Sequence, residues 1–165
     1  MLGWEEYCVP VIVDEAGAEA HSRLTAIRLS LMMLRYMEHW RARVDGYDAI
    51  MILVAIGAIV AERVTRDTDL KPELKCLRHP FPPERLTPCN VSSIASATGL
   101  NRETTRRKVK DLVDAGVLIR TDGSGISFAP GILQQDTAQE MFRRQLDCMV
   151  KLTNELLRDG TLKAS

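Results

Sequence analysis

VSSIASATGLNRETTRRKVKDLVDAGVLIRTDGSGISF, residues Val91 to Phe128, is the stretch that decides the fold. Ser92 to Ala97 reads as a short apolar-patterned helix, and Thr98-Gly99-Leu100 as a tight turn. A second helix opens on Asn101, whose side-chain oxygen suits the free amides of a first helical turn. It closes at Ala115-Gly116, where glycine takes positive φ at low cost. Val117 to Arg120, a glycine-rich turn and Ile126-Ser127-Phe128 then read as a β-hairpin. Helix, turn, helix and hairpin in this order predict a winged helix-turn-helix, the second helix facing outward.

At about 100° per residue, Thr105, Val109, Leu112 and Val113 share one face of that second helix, which can pack on Ile94. The opposite face holds Glu103, Thr104, Arg107 and Lys110, with Arg106 and Lys108 on its flanks. Charge is concentrated here. The chain carries 22 basic and 22 acidic residues, so nothing global draws it to a polyanion. Asn101 to Lys110 nevertheless holds Arg102, Arg106, Arg107, Lys108 and Lys110 against Glu103 alone. Such a local excess suits phosphate neutralisation. Arginine can also grip guanine bidentately, and Thr104 can meet a phosphate or a thymine methyl. An ordinary solvated basic face is the plainer reading of an isolated helix, and the flanking turn and hairpin weigh against it.

The run from Asn101 to Val109, followed by Leu112-Val113-Asp114-Ala115-Gly116-Val117-Leu118, resembles the recognition helix and first wing strand of bacterial winged-helix regulators. The MarR, IclR and GntR groups share this polar cap, basic helix, Leu-x-x-x-Gly and apolar strand. The resemblance covers residues 91–128 and is specific to the fold, not to one group. It implies base-reading and phosphate-binding roles for Arg102, Glu103, Thr104, Arg106, Arg107 and Lys110, with Ser92 and Ser93 assisting at phosphates. Asn101, Lys108 and Arg120 complete the candidate DNA-binding set. The chain departs from the pattern at the wing tip, where Thr121-Asp122-Gly123-Ser124-Gly125 carries an acid and no base. A short, mainly structural wing follows, with most affinity left to the helix.

The rest of the chain frames this module. A length of 165 residues with 45% apolar content fits one compact domain, or a small domain with dimerising helices. Cys8, Cys76, Cys89 and Cys148, like His21, His39 and His79, are scattered without ligand spacing, so neither a metal nor a cofactor is expected. Met1-Leu2-Gly3-Trp4-Glu5-Glu6 lacks the basic start and apolar run of a secretion signal, which points to the cytoplasm and reduced thiols. Tyr7 to Val13 reads as an edge strand or extended arm, because Pro10 disfavours a central strand. Two apolar stripes predict a long N-terminal helix over about 18–46. The charge-free run Ala49 to Ala61 is far short of the ~20 residues a membrane span needs, so it reads as the buried first helix of the winged module, residues 47–130.

Five of the seven prolines fall in residues 66–88, predicting a long irregular insertion, either a surface loop or a flap touching DNA, a partner or a small effector. Ala129-Pro130-Gly131 then breaks the chain before a C-terminal helix over 132–159, with Phe142, Leu146, Met149, Thr153 and Leu156 on one stripe. Both terminal helices have apolar faces wider than a small winged core covers, which predicts a homodimer. No catalytic constellation is legible, so an enzyme is not expected. The expectation is a mainly α protein with long terminal helices and a small hairpin wing: a regulator binding double-stranded DNA at a pseudo-palindromic operator, with no membrane partner. The alternative is a winged helix used for protein–protein contact without DNA.

Overall fold

The computed structural model describes residues 10–65, 69–82, 85–87, 89–121, 123 and 125–165. The fold is mainly helical with small two-stranded antiparallel sheets. Its contacts divide it into two units, residues 40–142 and residues 1–39 with 143–165.

The first unit is built on the charge-free run. β1 (Val11–Val13), α1 (Glu15–Ala20) and α2 (Ser22–Arg41) come earlier in the chain; α3 (Tyr47–Thr65) follows them. Ala49, Ile52, Leu53, Ile56 and Val60 recur at helical spacing and are buried, as is Ile50. Each large side chain enclosed this way contributes about 1.5–3 kcal/mol. The run is thus a buried helix, and among the described residues no helix is long and apolar enough to cross a membrane. α4 (Val91–Thr98) and α5 (Arg102–Asp114) pack on α3 and on each other through Ile94, Ala95, Thr105, Val109 and Leu112. The hairpin of β2 (Leu118–Thr121) and β3 (Gly125–Phe128) closes this core with Leu118 and Ile126, in the register Leu118↔Phe128 to Thr121↔Gly125. Trp40 meets Phe142 edge-to-face at 6.3 Å in the same unit.

The proline-rich connection is irregular, as its composition dictates, with a 3-10 turn at Pro72–Lys75. It is nonetheless tethered. The Gln134 side chain donates through Nε2 to the Leu77 carbonyl at 2.9 Å, and the Thr87 backbone amide to the Val60 carbonyl at 3.2 Å. Leu74, Leu77, Phe81 and Leu86 are half-buried, while Lys75, Arg78 and Arg85 are exposed. Residues 66–68, Pro83, Glu84 and Pro88 lie outside the described residues, as do residues 1–9 of the N-terminal stretch.

In the second unit, β1 pairs antiparallel with β4 (Leu162–Ala164), so the apolar N-terminal stretch is an edge strand from Val11 onward. The helix expected over 18–46 is two helices. Asp14 caps α1 by accepting from the Gly17 amide at 2.9 Å, and His21 ends α1 with its amide on the Gly17 carbonyl. α2 stops at Arg41, ahead of a turn in which Gly46 takes φ 86°. The break sits where Gly17 meets the turn at Gly160 in backbone contact: a Cβ on Gly17 would lie 2.0 Å from the Gly160 carbonyl oxygen. α6 (Asp136–Arg158) likewise starts later than the expected 132. Gly131, at φ 79°, and the turn after it keep residues 131–135 out of the helix, and Gln139 donates back to the Gln134 carbonyl at 3.0 Å. Arg28 of α2 bridges Glu155 at 3.4 Å and also pairs with Asp159. Among the described hydrophobic residues of this unit, Leu156 alone is buried.

Candidate nucleic-acid interface

α4 begins one residue earlier than its apolar pattern suggests. Asn90 caps it by accepting from the Ser93 amide at 3.0 Å, and the Ser93 hydroxyl accepts from the Asn90 amide at 3.0 Å. This reciprocal box satisfies two orphan donors. It also consumes Ser93, whose hydroxyl donates to the Asn90 carbonyl at 2.9 Å as well. The Asn-x-x-Ser spacing was the sequence signal for it. Just upstream, Cys89 ties the entry of α4 to the hairpin: the Ile126 amide donates to its carbonyl at 2.8 Å and its thiol to the Ile126 carbonyl at 2.9 Å. Burial pushes the Cys89 thiol up to about 11, which makes it a structural group and not a nucleophile.

The turn between α4 and α5 is held at both ends. Gly99 takes φ 72° and donates to the Ala95 carbonyl at 2.9 Å. The Thr98 hydroxyl donates to Ile94 at 2.8 Å and accepts from the Leu100 amide at 3.3 Å. Asn101 caps α5 as its residue type predicts, accepting from the Glu103 amide at 2.8 Å. Thr105, fully buried, donates to the Asn101 carbonyl at 3.0 Å, so its position on an apolar face is satisfied locally. At the far end Gly116 (φ 72°) and Val117 donate back to Val113 and Leu112, the paired bonds of a Schellman ending. α5 is therefore fixed in length and in roll. One face is locked inward and the other is exposed.

The five cations of α5 are not equivalent. Arg106 forks onto Glu103, with Nε at 3.0 Å and the terminal nitrogen at 2.5 Å from its two oxygens. That hydrogen bond chiefly holds the Glu103 carboxyl below its usual range, the charges of Arg106 and Arg107 acting in the same direction. It raises Arg106 in turn. Lys110 pairs with Asp114 at 3.2 Å, one helical turn on. Lys108 is half-buried and leans toward the turn before α3, its Nζ 3.8 Å from where a Cβ on Gly46 would sit. Arg102 and Arg107 are exposed and have no ion pair among the described residues. Thr104 is half-exposed between them.

Arg102 does not stand alone. It lines an open groove of about 350 Å³ together with Ser92, Asn90 and Val91 of the α4 entry and Arg120 and Gly123 of the hairpin. The structure thus brings Ser92, Arg102 and Arg120 together beside the amino terminus of α4, where the free amides and helix dipole favour an anion. Arg120 is the contribution of the hairpin even though the tip carries no base; Asp122 and Ser124 of that tip lie outside the described residues. Comparison with known protein families, with curated proteins and with solved structures finds no match for this chain. The interface rests on its own chemistry.

Proposed function

We propose that this protein is a sequence-specific DNA-binding transcription regulator of winged helix-turn-helix architecture, acting in the cytoplasm by binding and not by catalysis. α5 is the recognition helix for the major groove, and the β2–β3 hairpin is the wing. The observation that carries the reading is the division of labour on α5. Thr105, Val109 and Leu112 lock one face into the core, and Arg102 and Arg107 stand on the exposed side with no ion pair among the described residues. In this reading Thr104 meets a base edge, and Arg107 beside it neutralises a backbone phosphate. Arg102 and Arg120, with Ser92, hold two further backbone phosphates at the start of α4, setting register without reading sequence. Arg106 and Lys110 contribute less, because each already has a carboxylate within the chain.

The test is a gel shift on a pool of genomic duplexes with a salt titration, comparing the wild type with the triple variant Arg102→Ala, Arg107→Ala, Arg120→Ala. Selective retention by the wild type, weakening steeply with salt and lost in the triple variant, is the expected outcome. Equal retention by both ends the DNA reading. The same pair of carboxylates favours a second reading: a face whose cations are partly neutralised in place also suits contact with another protein. That reading predicts no retention of duplex DNA at any salt concentration.

A further inference from the structure

We propose that the groove between α2 and α6 binds a linear alkyl carboxylate, its head at the Arg35 end and its chain along the leucines. The groove encloses about 300 Å³ and is lined by residues of α2 from 24 to 35 and of α6 from 148 to 158. At 1.5 Å per residue each stretch is about 15 Å long, so the site is elongated and suits a chain better than a ring. Leu24, Ile27 and Leu31 share one face of α2 at helical spacing and form an apolar wall with Leu152 of α6. The three α2 residues are 41–51% exposed, so this wall is open to a ligand.

The charge of the lining is uneven. Arg28 is engaged by Glu155 and Asp159. Among the described residues Glu155 is the one acid lining the groove, while Arg35, Lys151 and Arg158 line it with no ion pair. An excess of cations beside apolar surface favours an anion with an apolar body and repels a cation of the same shape. A second observation marks where the head belongs. Gln145 lies one turn before Cys148 on the same face of α6 and is 4% exposed, yet neither its oxygen nor its nitrogen has a hydrogen-bond partner among the described residues. His39 lies one turn beyond Arg35 on α2, and its Nδ1 is buried and unpartnered in the same way. β1 and Gly17, ahead of α2, meet β4 and Gly160, after α6, so the two helices run antiparallel and His39 and Gln145 belong to one end of the groove. Buried donors without an acceptor are rare in folded chains and cost stability. A carboxylate at this end offers acceptor oxygens to the Gln145 amide, Arg35 and Lys151 answer its charge, and the alkyl chain runs toward Leu24. The inference stands apart from the DNA reading, and it is measured without DNA.

Calorimetric titration of the full chain with dodecanoate, kept below its micellar concentration, decides it. Acetate and dodecylammonium are the comparators, the first lacking the chain and the second reversing the charge of the head. Dodecanoate should bind saturably, acetate should not bind, and dodecylammonium should bind about tenfold more weakly or not at all. The double variant Arg35→Gln, Lys151→Gln should keep the helical circular dichroism of the wild type and weaken dodecanoate about tenfold. Hydrogen exchange on the wild type covers the case in which the double variant fails to fold. Dodecanoate should then raise protection in residues 24–39 and 145–158, while α5 stays unchanged. Equal binding of dodecanoate and dodecylammonium overturns the proposal, because alkyl chains would then be adhering to exposed leucines whatever their head. So does a wild type that takes up no dodecanoate, a double variant that binds it as the wild type does, or protection confined to other segments.

Discussion

Glu103→Gln should strengthen DNA binding and steepen its salt dependence, because it releases a cation that the fold holds neutralised. Arg106 forks onto Glu103 with two hydrogen bonds, whereas Arg102, Arg107 and Arg120 have no such partner among the described residues. Each phosphate contact contributes a slope of about −0.9 in log K against log salt, so raising salt from ~50 to ~200 mM costs about 3.5-fold per contact. Three free cations per chain give a loss of about 40-fold over that range. Freeing Arg106 as a fourth takes the loss to about 150-fold, and Arg107→Ala brings it down to about 12-fold. Arg106→Ala should scarcely move it. Fluorescence anisotropy on a labelled duplex, repeated at four salt concentrations for each protein, reads all four slopes. If Glu103→Gln leaves the slope unchanged, or Arg106→Ala flattens it as much as Arg107→Ala, then the pairing on α5 does not govern its charge and the reasoning fails.

Other outcomes follow from the same contacts. Val109 is fully buried, so Val109→Ala, which deletes two methyl groups and leaves a void, should destabilise the chain by about 2 kcal/mol in urea unfolding; a loss under ~0.5 kcal/mol would show that α5 is not packed as described. The Cys89 thiol is raised to about 11 from an ordinary 9.0. Between those values the unfolded chain gives up that proton and the folded chain keeps it, so stability present below about pH 9 falls as pH rises through the window. Cys89→Ala should flatten the decline, and a thiol reagent should label exposed Cys76 well before Cys89. Limited trypsin digestion should cut first after Lys75, Arg78 or Arg85, which are exposed in an irregular segment; first cleavage within α5 would contradict it. Two copies bound to one duplex should footprint half-sites about 34 Å or a multiple apart, against which a single asymmetric footprint would count.

Local chemistry was the legible part of this chain. Asn101, Gly99 and Gly116 announce the limits of α5 because capping depends on neighbours within a few residues, and the inward set Thr105, Val109 and Leu112 follows from helical period alone. The charge-free run of α3 was readable for the same reason. The charge balance of α5 was harder: counting cations to Lys110 stops short of Asp114, and composition does not say that Arg106 turns back onto Glu103. Arg120 joining Arg102 depends on where the hairpin lands, and the break at His21 on the approach of Gly160 from the far end of the chain. Pairing of β1 with β4 is non-local in the same way, and three-residue strands carry almost no period of their own.

That pairing has a consequence for how the chain folds as it is made. Residues 40–142 are continuous in sequence, so α3, α4, α5 and the hairpin can consolidate while synthesis is still under way. The other unit is assembled from two distant pieces. Residues Val11–Val13 wait for Leu162–Ala164, and Arg28 waits for Glu155 and Asp159. Closing so long a loop is slow and comes late. Until then the leucines and methionines of α2 have no α6 beside them, and a nascent chain is most exposed to aggregation there. The last helical turn and the three residues of β4 are therefore where a truncation does its greatest damage.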